Sequence, residues 1–511
     1  MSLNLASFLE QAALVRPDKA ALVLENMRMT YAEVATAAQR VANILRSKGI
    51  GRGDIVALML PNTPHFPIVY YGILYAGAIA LPMNPTLKYR DILYQLGESG
   101  AKGLFIWKDC APEAYRIISQ LPECRLLAVV EPKLEASTPE AGESFIALMA
   151  SADPEFEMIP TRPDDTAVVI FTSSLGGKTY GAELSHFNLY SNAMAIREYV
   201  IRFDPEDVCL ATLPLFHAFG QMTMMNVPFL AHSTVVLLPR FEPMHAFTLI
   251  AREQVTLLCV VPAMLHLMTT FKHESTFDLS SIHCVTTGGA ALPKQTAIDF
   301  EKRFHISVVE GYGLTETSPV VSFNRIESNR LGSVGKPLWG TVLRIQREDG
   351  SFADPGEIGE VVLRGHYVMK GYLHAPEATA RVMAGGWFHT GDLGYLDQDG
   401  YLFLTGLKKD IIIRAGLNIY PCEVEAVLEE HPAILEAAMV GLPDPVRGQE
   451  PKAFIVLKPG SNVTEKELAA FCRQELASYK CPRSFEFIDA LPRNADGQIQ
   501  KELLRTRHNA V

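Results

Sequence analysis

The chain has 511 residues, of which 48% are hydrophobic and 20% are charged, and its formal net charge at pH 7 is -11. This length exceeds what one hydrophobic core normally supports, and the composition is typical of a folded enzyme rather than of a disordered or fibrous protein. The negative charge excludes a nucleic-acid partner, because no excess of lysine and arginine is available to neutralise phosphates.

The cysteines and the uncharged runs bear on the compartment. Eight cysteines are scattered without a C-x-x-C pair, which predicts buried thiols in a reducing compartment rather than a zinc site or a disulfide framework. The start, MSLNLASFLEQAALV, lacks the basic and apolar parts of a secretory signal. Proline, glycine and polar residues interrupt the uncharged runs 66–83 and 209–239 before either could span a membrane. We therefore expect a cytoplasmic protein without a transmembrane segment.

The first part of the chain alternates helix and strand patterns. Apolar residues recur at helical spacing over 5–16 and 31–48, and the segment between them predicts a hairpin that turns at Glu25-Asn26. A buried strand over 54–62, a helix and a strand over 78–85 follow. This alternation predicts an α/β fold with a mainly parallel sheet covered by helices. The Pro-, Glu- and Ser-rich stretch 131–160 is predicted to be a surface connection.

Residues 167–186 run an apolar segment into a loop of Thr, Ser and Gly and then into a helical pattern. This order predicts a phosphate-binding loop, because backbone N–H groups and hydroxyls, reinforced by the positive end of the following helix, can hold an anion. Its candidate residues are Thr172, Ser173 and Gly177. A nucleotide-triphosphatase loop is excluded, since Thr172 stands where that pattern requires glycine. Taken alone, the pattern also fits an ordinary turn.

The alternation continues with strands predicted within 209–220, 233–239, 257–264, 283–292 and 306–317. Several of these segments end in small or aromatic residues, and ligands of open α/β sheets bind outside the carboxyl ends of strands. Short strands with Gly/Asp turns then predict a β-rich subdomain over 332–399. We predict a large N-terminal domain over 1–406, a boundary at 407–410 and a small α+β domain over 411–511.

Five motifs in a fixed order carry a family resemblance: Thr172-Ser173 with Gly177 and Gly181, YGLTE at 312–316, TGD at 390–392, KKD with GLNIYPCEVE at 408–425, and PRNADG at 492–497. Over essentially its whole length the chain resembles the adenylate-forming superfamily of acyl-CoA synthetases, peptide-synthetase adenylation domains and luciferases. The resemblance implies two half-reactions. ATP and a carboxylate first give an acyl-adenylate and pyrophosphate, and the thiol of CoA or a carrier then displaces AMP.

The resemblance also implies roles for single residues around the nucleotide. Thr315 would contact the α-phosphate, Glu316 would help to hold magnesium, and Asp392 would accept the ribose hydroxyls. The adenine and acyl pockets would be lined by three small residues, Gly288, Gly289 and Ala290. The adenine would be flanked by Gly311 and Tyr312.

The remaining implied roles concern the reacting groups and domain motion. His217 would stand near the reacting carboxyl group, and Lys409 would be the hinge of a mobile C-terminal lid. Gly416 would let pantetheine pass close to the backbone, as the absence of a Cβ permits. Simpler readings stay open for two residues, because His217 could be a hydrogen-bonded core histidine and Glu316 a helix cap.

The chain departs from its family in the phosphate loop, at the hinge and near the C-terminus. The family loop reads S-G-T-T-G-x-P-K-G, but here Leu175 and Gly176 replace hydroxyl donors and Tyr180 replaces the lysine. Leu407 stands where the family has an arginine, and Gln498 stands where it has the lysine that bridges the substrate carboxylate and the α-phosphate.

These losses fall on adenylation, which brings a carboxylate against a triphosphate and needs fixed cations and donors. Removing one such donor typically costs about 10² to 10³ in rate. Attack of a thiol on a preformed mixed anhydride is less demanding. The leading hypothesis is therefore an enzyme that transfers the acyl group of an acyl-adenylate, made by an adenylating partner ligase, to CoA. Its ligands are the AMP moiety and CoA, with ATP and magnesium only if adenylation is retained.

Two alternatives stay open. One is a complete ATP-dependent acyl-CoA synthetase in which Lys178 and Lys501 replace the lost cations, and the other is a pseudoenzyme that senses nucleotide or acyl-CoA. Luciferase-like oxygenation and a carrier-protein acceptor also stay open. The apolar segments FHAFGQMTMMNVPF and VVPAMLHLM suggest a bulky hydrophobic acyl group, although such residues are more often plain core.

Overall fold

The computed structural model of this chain describes residues 2–131, 138–173, 179–272, 277–414, 417–419, 421–444, 448–476, 480–494 and 497–507. The chain divides into two compact units. Unit 1 comprises Met1–Val342 and Leu363–Phe388, and unit 2 comprises Leu343–Val362 and His389–Val511. The boundary predicted at 407–410 lies within unit 2, and a hinge there stays a prediction.

Helices occur along the whole chain. In chain order the α-helices of the described residues are α1 (Ser7–Val15), α2 (Tyr31–Ser47), α3 (His65–Tyr75), α4 (Tyr89–Ser99), α5 (Ala111–Tyr115), α6 (Phe145–Ser151), α7 (His186–Tyr199), α8 (Ala218–Gln221), α9 (Val227–Ala231), α10 (Pro243–Glu253), α11 (Pro262–Thr270), α12 (Lys294–Phe304), α13 (Pro376–Val382), α14 (Pro421–Glu429), α15 (Glu465–Glu475) and α16 (Lys501–Arg507).

Strands alternate with these helices. In chain order they are β1 (Ala20–Leu24), β2 (Met27–Thr30), β3 (Ile55–Met59), β4 (Ile79–Pro82), β5 (Gly103–Trp107), β6 (Leu126–Val130), β7 (Glu143–Ser144), β8 (Thr166–Ser173), β9 (Thr179–Ser185), β10 (Val208–Ala211), β11 (Thr234–Leu237), β12 (Leu257–Val260), β13 (Cys284–Thr287), β14 (Val308–Gly313), β15 (Val320–Phe323), β16 (Lys336–Pro337), β17 (Thr341–Gln346), β18 (Gly359–Gly365), β19 (Gly371–Tyr372), β20 (Phe388–Leu396), β21 (Leu402–Leu407), β22 (Ile412–Arg414), β23 (Leu417–Ile419), β24 (Ile434–Asp444), β25 (Gly448–Leu457) and β26 (Ser484–Phe487).

Unit 1 is built on two large sheets. Among the described residues, nine strands lie in the order β16-β15-β14-β13-β12-β10-β11-β1-β2, and eight lie in the order β19-β9-β8-β4-β3-β5-β6-β7. The strands from β10 to β14 pair in parallel, as do those from β3 to β6. Every residue of β3, β11 and β12 is buried, as expected of parallel strands covered on both faces. The predicted α/β fold is confirmed.

The predictions for the first elements are confirmed because their signals are local. The predicted helices 5–16 and 31–48 are α1 and α2, and α2 begins at a capping box in which Thr30 and Glu33 satisfy each other's backbone N–H groups. Strands β1 and β2 are antiparallel, and Glu25 at their turn adopts a φ of 51°. The predicted hairpin therefore turns at Glu25-Asn26.

The prediction that 131–160 is only a surface connection is wrong for part of the stretch. Strand β7 pairs in parallel with β6, and α6 follows it directly. Phe145 of α6 is buried, and its ring lies 5.9 Å from that of Phe105. The apolar run FIALM packs on the core although its surroundings are polar in composition. Residues 132–137 of this stretch lie outside the described residues.

Unit 2 contains the predicted β-rich and α+β parts. Most residues of a four-stranded sheet, ordered β17-β18-β20-β21, belong to it. A second sheet, ordered β23-β22-β25-β24 with β26 beside β25, packs with α14 and α15 around a core that includes Val424, Met439 and Leu468. Both parts of the fold prediction are confirmed.

Two further predictions concern the membrane and the cysteines. None of the described helices is both long and apolar enough to cross a bilayer. All eight cysteines are free thiols. Four of them are buried, namely Cys209, Cys259, Cys284 and Cys472, and the other four are partly exposed.

Candidate active site

The predicted phosphate loop joins two strands and not a strand and a helix. Strand β8 pairs antiparallel with β9, so that Thr172 lies opposite Tyr180 and Ser173 opposite Thr179. Helix α7 begins only at His186, after the whole of β9. Seven strand residues span about 20 Å, so the positive end of α7 cannot reinforce the loop, and that part of the prediction is wrong. Gly177 and Lys178 lie outside the described residues, as do Leu175 and Gly176.

Two neighbouring parallel strands carry the predicted adenine-side residues at their carboxyl ends. Strand β13 ends at Thr287, directly before Gly288, and β14 ends at Gly313. A Cβ at Gly288 would lie 3.0 Å from the carbonyl oxygen of Gly311, so the two segments approach closely. Gly289 has a φ of 80°, which favours glycine. Tyr312, which lies between Gly311 and Gly313 in the sequence, is largely buried. Ala290 directly follows Gly289.

Gly313 cannot carry a side chain without displacing the backbone. A Cβ there would lie 1.8 Å from the carbonyl oxygen of Pro319. We expect Gly313→Ala to lower the free energy of unfolding by about 3 kcal/mol or more, measured by thermal or denaturant unfolding. Gly51→Ala is the matched control, because no heavy atom lies within 4 Å of the Cβ it would add. Equal stability of the two variants would contradict this expectation.

His217 lies close in the chain to the residues that approach Gly288. It directly precedes the short helix α8, and its carbonyl oxygen accepts the N–H of Gln221. The ring of Phe219 in α8 lies 3.4 Å from the position of a Cβ on Gly288. The side chain of His217 is partly exposed, which counts against a histidine sealed in the core.

Glu316 is a buried carboxylate with a tyrosine as hydrogen-bond donor. It lies in a short 3-10 helix, Thr315–Thr317, directly after β14. The hydroxyl of Tyr372 donates to Glu316 Oε1 over 2.8 Å, and both side chains are buried. Burial raises the pKa of Glu316 above its ordinary value, although the hydrogen bond from Tyr372 opposes this shift.

Tyr180, where the family has a lysine, stacks on Tyr372. The ring centroids are 5.2 Å apart and the planes differ by 30°. The fold therefore brings together an aromatic pair, Tyr180 and Tyr372, and the carboxylate of Glu316. At this position an uncharged ring replaces a cation, one contact away from the predicted magnesium ligand.

Within unit 2, Asp392 and Leu407 are direct cross-strand partners on β20 and β21. Side chains so paired have Cβ atoms about 5 Å apart, so the missing arginine would have stood beside the predicted ribose acceptor. Asp392 is partly buried, and its N–H donates to the Thr390 hydroxyl over 3.0 Å.

The two C-terminal positions that the sequence prediction links to adenylation are also in unit 2. Gln498 is exposed in a turn, where its N–H donates to Asn494 Oδ1 over 2.9 Å. Lys501 Nζ lies 2.7 Å from Glu425 Oε1, and each of the two side chains is 16% exposed. The ammonium group of Lys501 is therefore already paired with a carboxylate of unit 2.

Besides Gly177, three predicted site residues are described only in part or not at all. Lys409 lies in a short 3-10 helix, Lys408–Asp410, where its backbone alone is described. Only the backbone of Ser173 is described, and Gly416 lies outside the described residues. The residues placed in unit 1 are Thr172, His217, Gly288, Gly289, Ala290, Gly311, Tyr312, Thr315 and Glu316, and those in unit 2 are Asp392 and Lys409.

Two buried groups beside the predicted site were missed by the sequence prediction. Glu310 precedes Gly311, and its Oε1 accepts the N–H of Leu292 over 3.2 Å, while burial raises its pKa to about 8. Tyr372, described above, is the second group. A charged residue inside the apolar run VVEGYG is a signal for Glu310. Tyr372 has no such signal, because its contact depends on pairing between distant segments.

Glu316 fits a magnesium ion that arrives with a nucleotide better than a resident one. Among the described residues no group of three or more His, Cys, Asp or Glu side chains could hold a metal ion. Magnesium is commonly bound by one or two carboxylates together with substrate phosphates. A single buried carboxylate at the end of β14 meets the protein's share of that arrangement.

Two family models match most of the chain. The model described as AMP-binding enzyme matches residues 9–373, and the model described as AMP-binding enzyme C-terminal domain matches residues 423–498.

Individual relatives match over nearly their full lengths. The chain is 36% identical to a long-chain-fatty-acid–CoA ligase of Bacillus subtilis, covering 98% of this chain and 94% of the relative. It is 35% identical to a feruloyl-CoA synthase of an Amycolatopsis species, covering 99% of each. Among solved structures, anthranilate CoA ligase AuaEII with anthranoyl-AMP matches with a TM-score of 0.92 and 28% identity, covering 99% of this chain and 98% of that one. ATP-bound MatB from Rhodopseudomonas palustris matches with a TM-score of 0.92 and 30% identity, covering 100% and 99%.

Proposed function

Because the chain belongs to the AMP-binding enzyme family, in the acyl-CoA ligase branch of the adenylate-forming superfamily, we propose that it forms an acyl-CoA thioester from a preformed acyl-adenylate. The sulfur of CoA attacks the acyl carbonyl carbon, the bond from that carbon to the phosphate oxygen breaks, and AMP leaves. The thiol proton goes to solvent. In this proposal adenylation by the chain itself is weak or absent, and an adenylating partner ligase supplies the substrate.

The observation that carries the proposal is the ion pair of Lys501. Lys501 is the cationic residue nearest to Gln498 in the sequence. It is therefore the first candidate to replace the lysine that the family has at residue 498. At 2.7 Å from Glu425 and mostly buried, it would have to leave that carboxylate uncompensated in order to reach a phosphate. Separating a buried pair is costly because one charge stays buried without its partner.

The stack of Tyr180 on Tyr372 supports the same conclusion in unit 1. A lysine at residue 180 would add a positive charge near the Glu316 carboxylate, where a triphosphate and its magnesium are expected to gather negative charge. The phenol of Tyr180 adds none. Charge stabilisation of this kind is usually the largest single contribution to catalysis of such transfers.

Several groups that thiol transfer is expected to need are present. Thr315, Asp392 and the glycine-lined ends of β13 and β14 are all in the chain, and His217 is partly exposed beside α8. We propose that these residues bind the nucleoside, the α-phosphate and the reacting carbonyl, as the resemblance implies. The mixed anhydride is already activated, so no further cation is required for AMP to leave.

We propose a bulky hydrophobic acyl group. Residues Met222–Asn226 form a buried π-helical turn directly after α8, and the Phe219 ring next to it approaches Gly288. Single-turn π-helices often occur at functional sites. The names of the relatives include long-chain fatty and feruloyl substrates, and both are rich in apolar surface.

One preparation in two assays tests the proposal. Purified chain with a synthetic acyl-adenylate and CoA is expected to give thioester and AMP without ATP. The same preparation with ATP, pyrophosphate and a panel of long-chain and aromatic acids is expected to show exchange at least about 10²-fold slower than that thioester formation. Robust exchange with any acid would overturn the specialised function, and no thioester from any supplied adenylate would favour a sensor of nucleotide or acyl-CoA.

A complete two-step ligase is the second candidate, and the relatives favour it. The matched structures include ATP-bound MatB, and the curated matches are named as CoA ligases and synthetases. In this case Lys178 or Lys501 would supply the charge at the α-phosphate. Exchange that is robust in the parent chain and lost in Lys501→Met would support it.

A further inference from the structure

The segment Lys408–Asp410, which contains the predicted hinge residue Lys409, is held at both ends by ion pairs. Lys408 Nζ lies 2.8 Å from Glu360 Oε2, on strand β18. Asp410 Oδ1 lies 2.8 Å from Arg505 Nη2, on helix α16. The two neighbours of Lys409 are therefore tied to two different parts of unit 2.

Glu360 joins the hinge segment to the strand that carries Asp392. Its side chain is only 7% exposed, and its Oε1 accepts the N–H of Gly391 over 3.2 Å. Its Oε2 lies 3.2 Å from His389 Nδ1 and 2.8 Å from Lys408 Nζ. Burial alone would raise the pKa of Glu360, but Lys408 and His389 outweigh it and hold the pKa below its ordinary value. The carboxylate thus fixes β20 and the start of the hinge segment together.

Arg505 ties the other end of the segment to the C-terminal core. Asp410 is buried, and the side chain of Arg505 is 22% exposed. Helix α16 is itself anchored, because Leu504 packs with Val440, Phe454 and neighbouring residues of the second sheet. Asp410 is therefore attached to the part of unit 2 that follows the predicted hinge.

We propose that Glu360 and Arg505 are positioning residues that confine rotation between the two half-reactions to the backbone torsions of Lys409. Hinges work when a few residues absorb the change in φ and ψ while their neighbours stay packed. Lys408 moves with the β-rich sheet and Asp410 with the C-terminal sheet, so the residue between them takes the whole rotation. This inference rests on the proposed function in requiring a hinge at Lys409.

Loss of either tether has a specific consequence. The rotation then spreads over residues 407–411, the orientation that presents CoA to the adenylate is populated less, and the transfer step slows. Binding of the adenylate itself is not expected to change, because Glu360→Gln keeps an acceptor for the N–H of Gly391 beside Asp392, and neither Glu360 nor Arg505 is a predicted nucleotide contact. The expected signature is a lower kcat with an unchanged KM for the acyl-adenylate.

The test uses the full chain with Glu360→Gln and Arg505→Gln, which keep the approximate size and polarity of each side chain. Amide hydrogen exchange of peptides covering 404–414, measured without substrates, is expected to rise about fivefold or more in both variants. Single-turnover thioester formation from supplied adenylate is expected to fall about tenfold at an unchanged KM for adenylate. Glu143→Gln is the control, since it removes a 2.7 Å pair with Lys48 in unit 1, outside the unit that contains the hinge segment.

Two outcomes would overturn the inference. One is exchange over 404–414 that matches the Glu143→Gln control, and the other is a raised KM for adenylate with an unchanged kcat. If Glu360→Gln does not fold, Lys408→Met removes the same pair from its more exposed side, where 54% of the lysine side chain is accessible. A parent chain that forms no thioester would defeat the proposed function, whereas the exchange measurement would still decide whether the tethers hold the segment.

Discussion

A chain that carries both Gln498→Lys and Tyr180→Lys is expected to exchange pyrophosphate into ATP at least about 10²-fold faster than the parent chain, in the presence of an apolar carboxylic acid. Each substitution places a lysine at a position where the family pattern has one. The C-terminal one would meet the carboxylate and the α-phosphate, and the one on β9 would lie near Glu316. The gain would appear in exchange, because both charges act in the adenylation transition state.

The single variants are expected to recover only part of this gain. Groups that stabilise one transition state act as a unit, and removing or restoring them one at a time is not additive. Tyr180→Lys also removes the ring that stacks on Tyr372, so the hydroxyl that donates to Glu316 is held less firmly. Tyr180→Phe separates the two effects, since it keeps the stack and adds no charge. It is expected to leave exchange at the parent level.

Gln500→Lys is the matched control for the C-terminal substitution. Gln500 lies two residues beyond Gln498, is exposed, and directly precedes helix α16. Its substitution by lysine therefore adds the same charge as Gln498→Lys at a different place. Thioester formation from supplied adenylate is expected to stay within about threefold of the parent in all five variants, because that step does not use these cations. A rise in exchange with Gln500→Lys equal to that with Gln498→Lys would contradict the role assigned to residue 498.

Elements whose determining contacts are local could be predicted from the sequence. Thr30 and Glu33 are three residues apart and cap α2, and the turn at Glu25 depends on its own backbone and on a short hairpin. The buried parallel strands were also predictable, because continuous apolar runs such as β11 and β12 have no other stable placement in water.

Elements that depend on a distant partner could not be predicted in this way. The sequence pattern places 179–181 in the loop and 182–186 at the start of a helix, but residues 179–185 form β9 because β8 offers an antiparallel edge along their whole length. The contact of Tyr372 with Glu316 joins residues 56 apart, and the pair of Lys501 with Glu425 joins residues 76 apart. Residue types indicate which groups such a site contains, but pairing across a sheet decides which of them meet.

Asp392→Asn is expected to raise the KM for a supplied acyl-adenylate about 10²-fold and to leave the KM for CoA unchanged. If Asp392 accepts both ribose hydroxyls, its carboxylate makes two charge-assisted hydrogen bonds, and each typically contributes about 1.5 to 3 kcal/mol. The amide keeps one acceptor oxygen, so part of this energy remains. Leu407, directly opposite on β21, offers no polar group that could substitute for the lost acceptor.

The control for this variant is Asp399→Asn, in the exposed turn between β20 and β21. It removes the same charge from the same hairpin, so a general loss of negative charge would affect both variants equally. A fall in kcat without a change in the KM for adenylate would place Asp392 outside the ribose contacts. A rise in KM confined to Asp392→Asn would instead mean that β20 binds the nucleoside through Asp392. This result would not depend on whether the chain adenylates acids itself, because the substrate in this assay already carries its AMP.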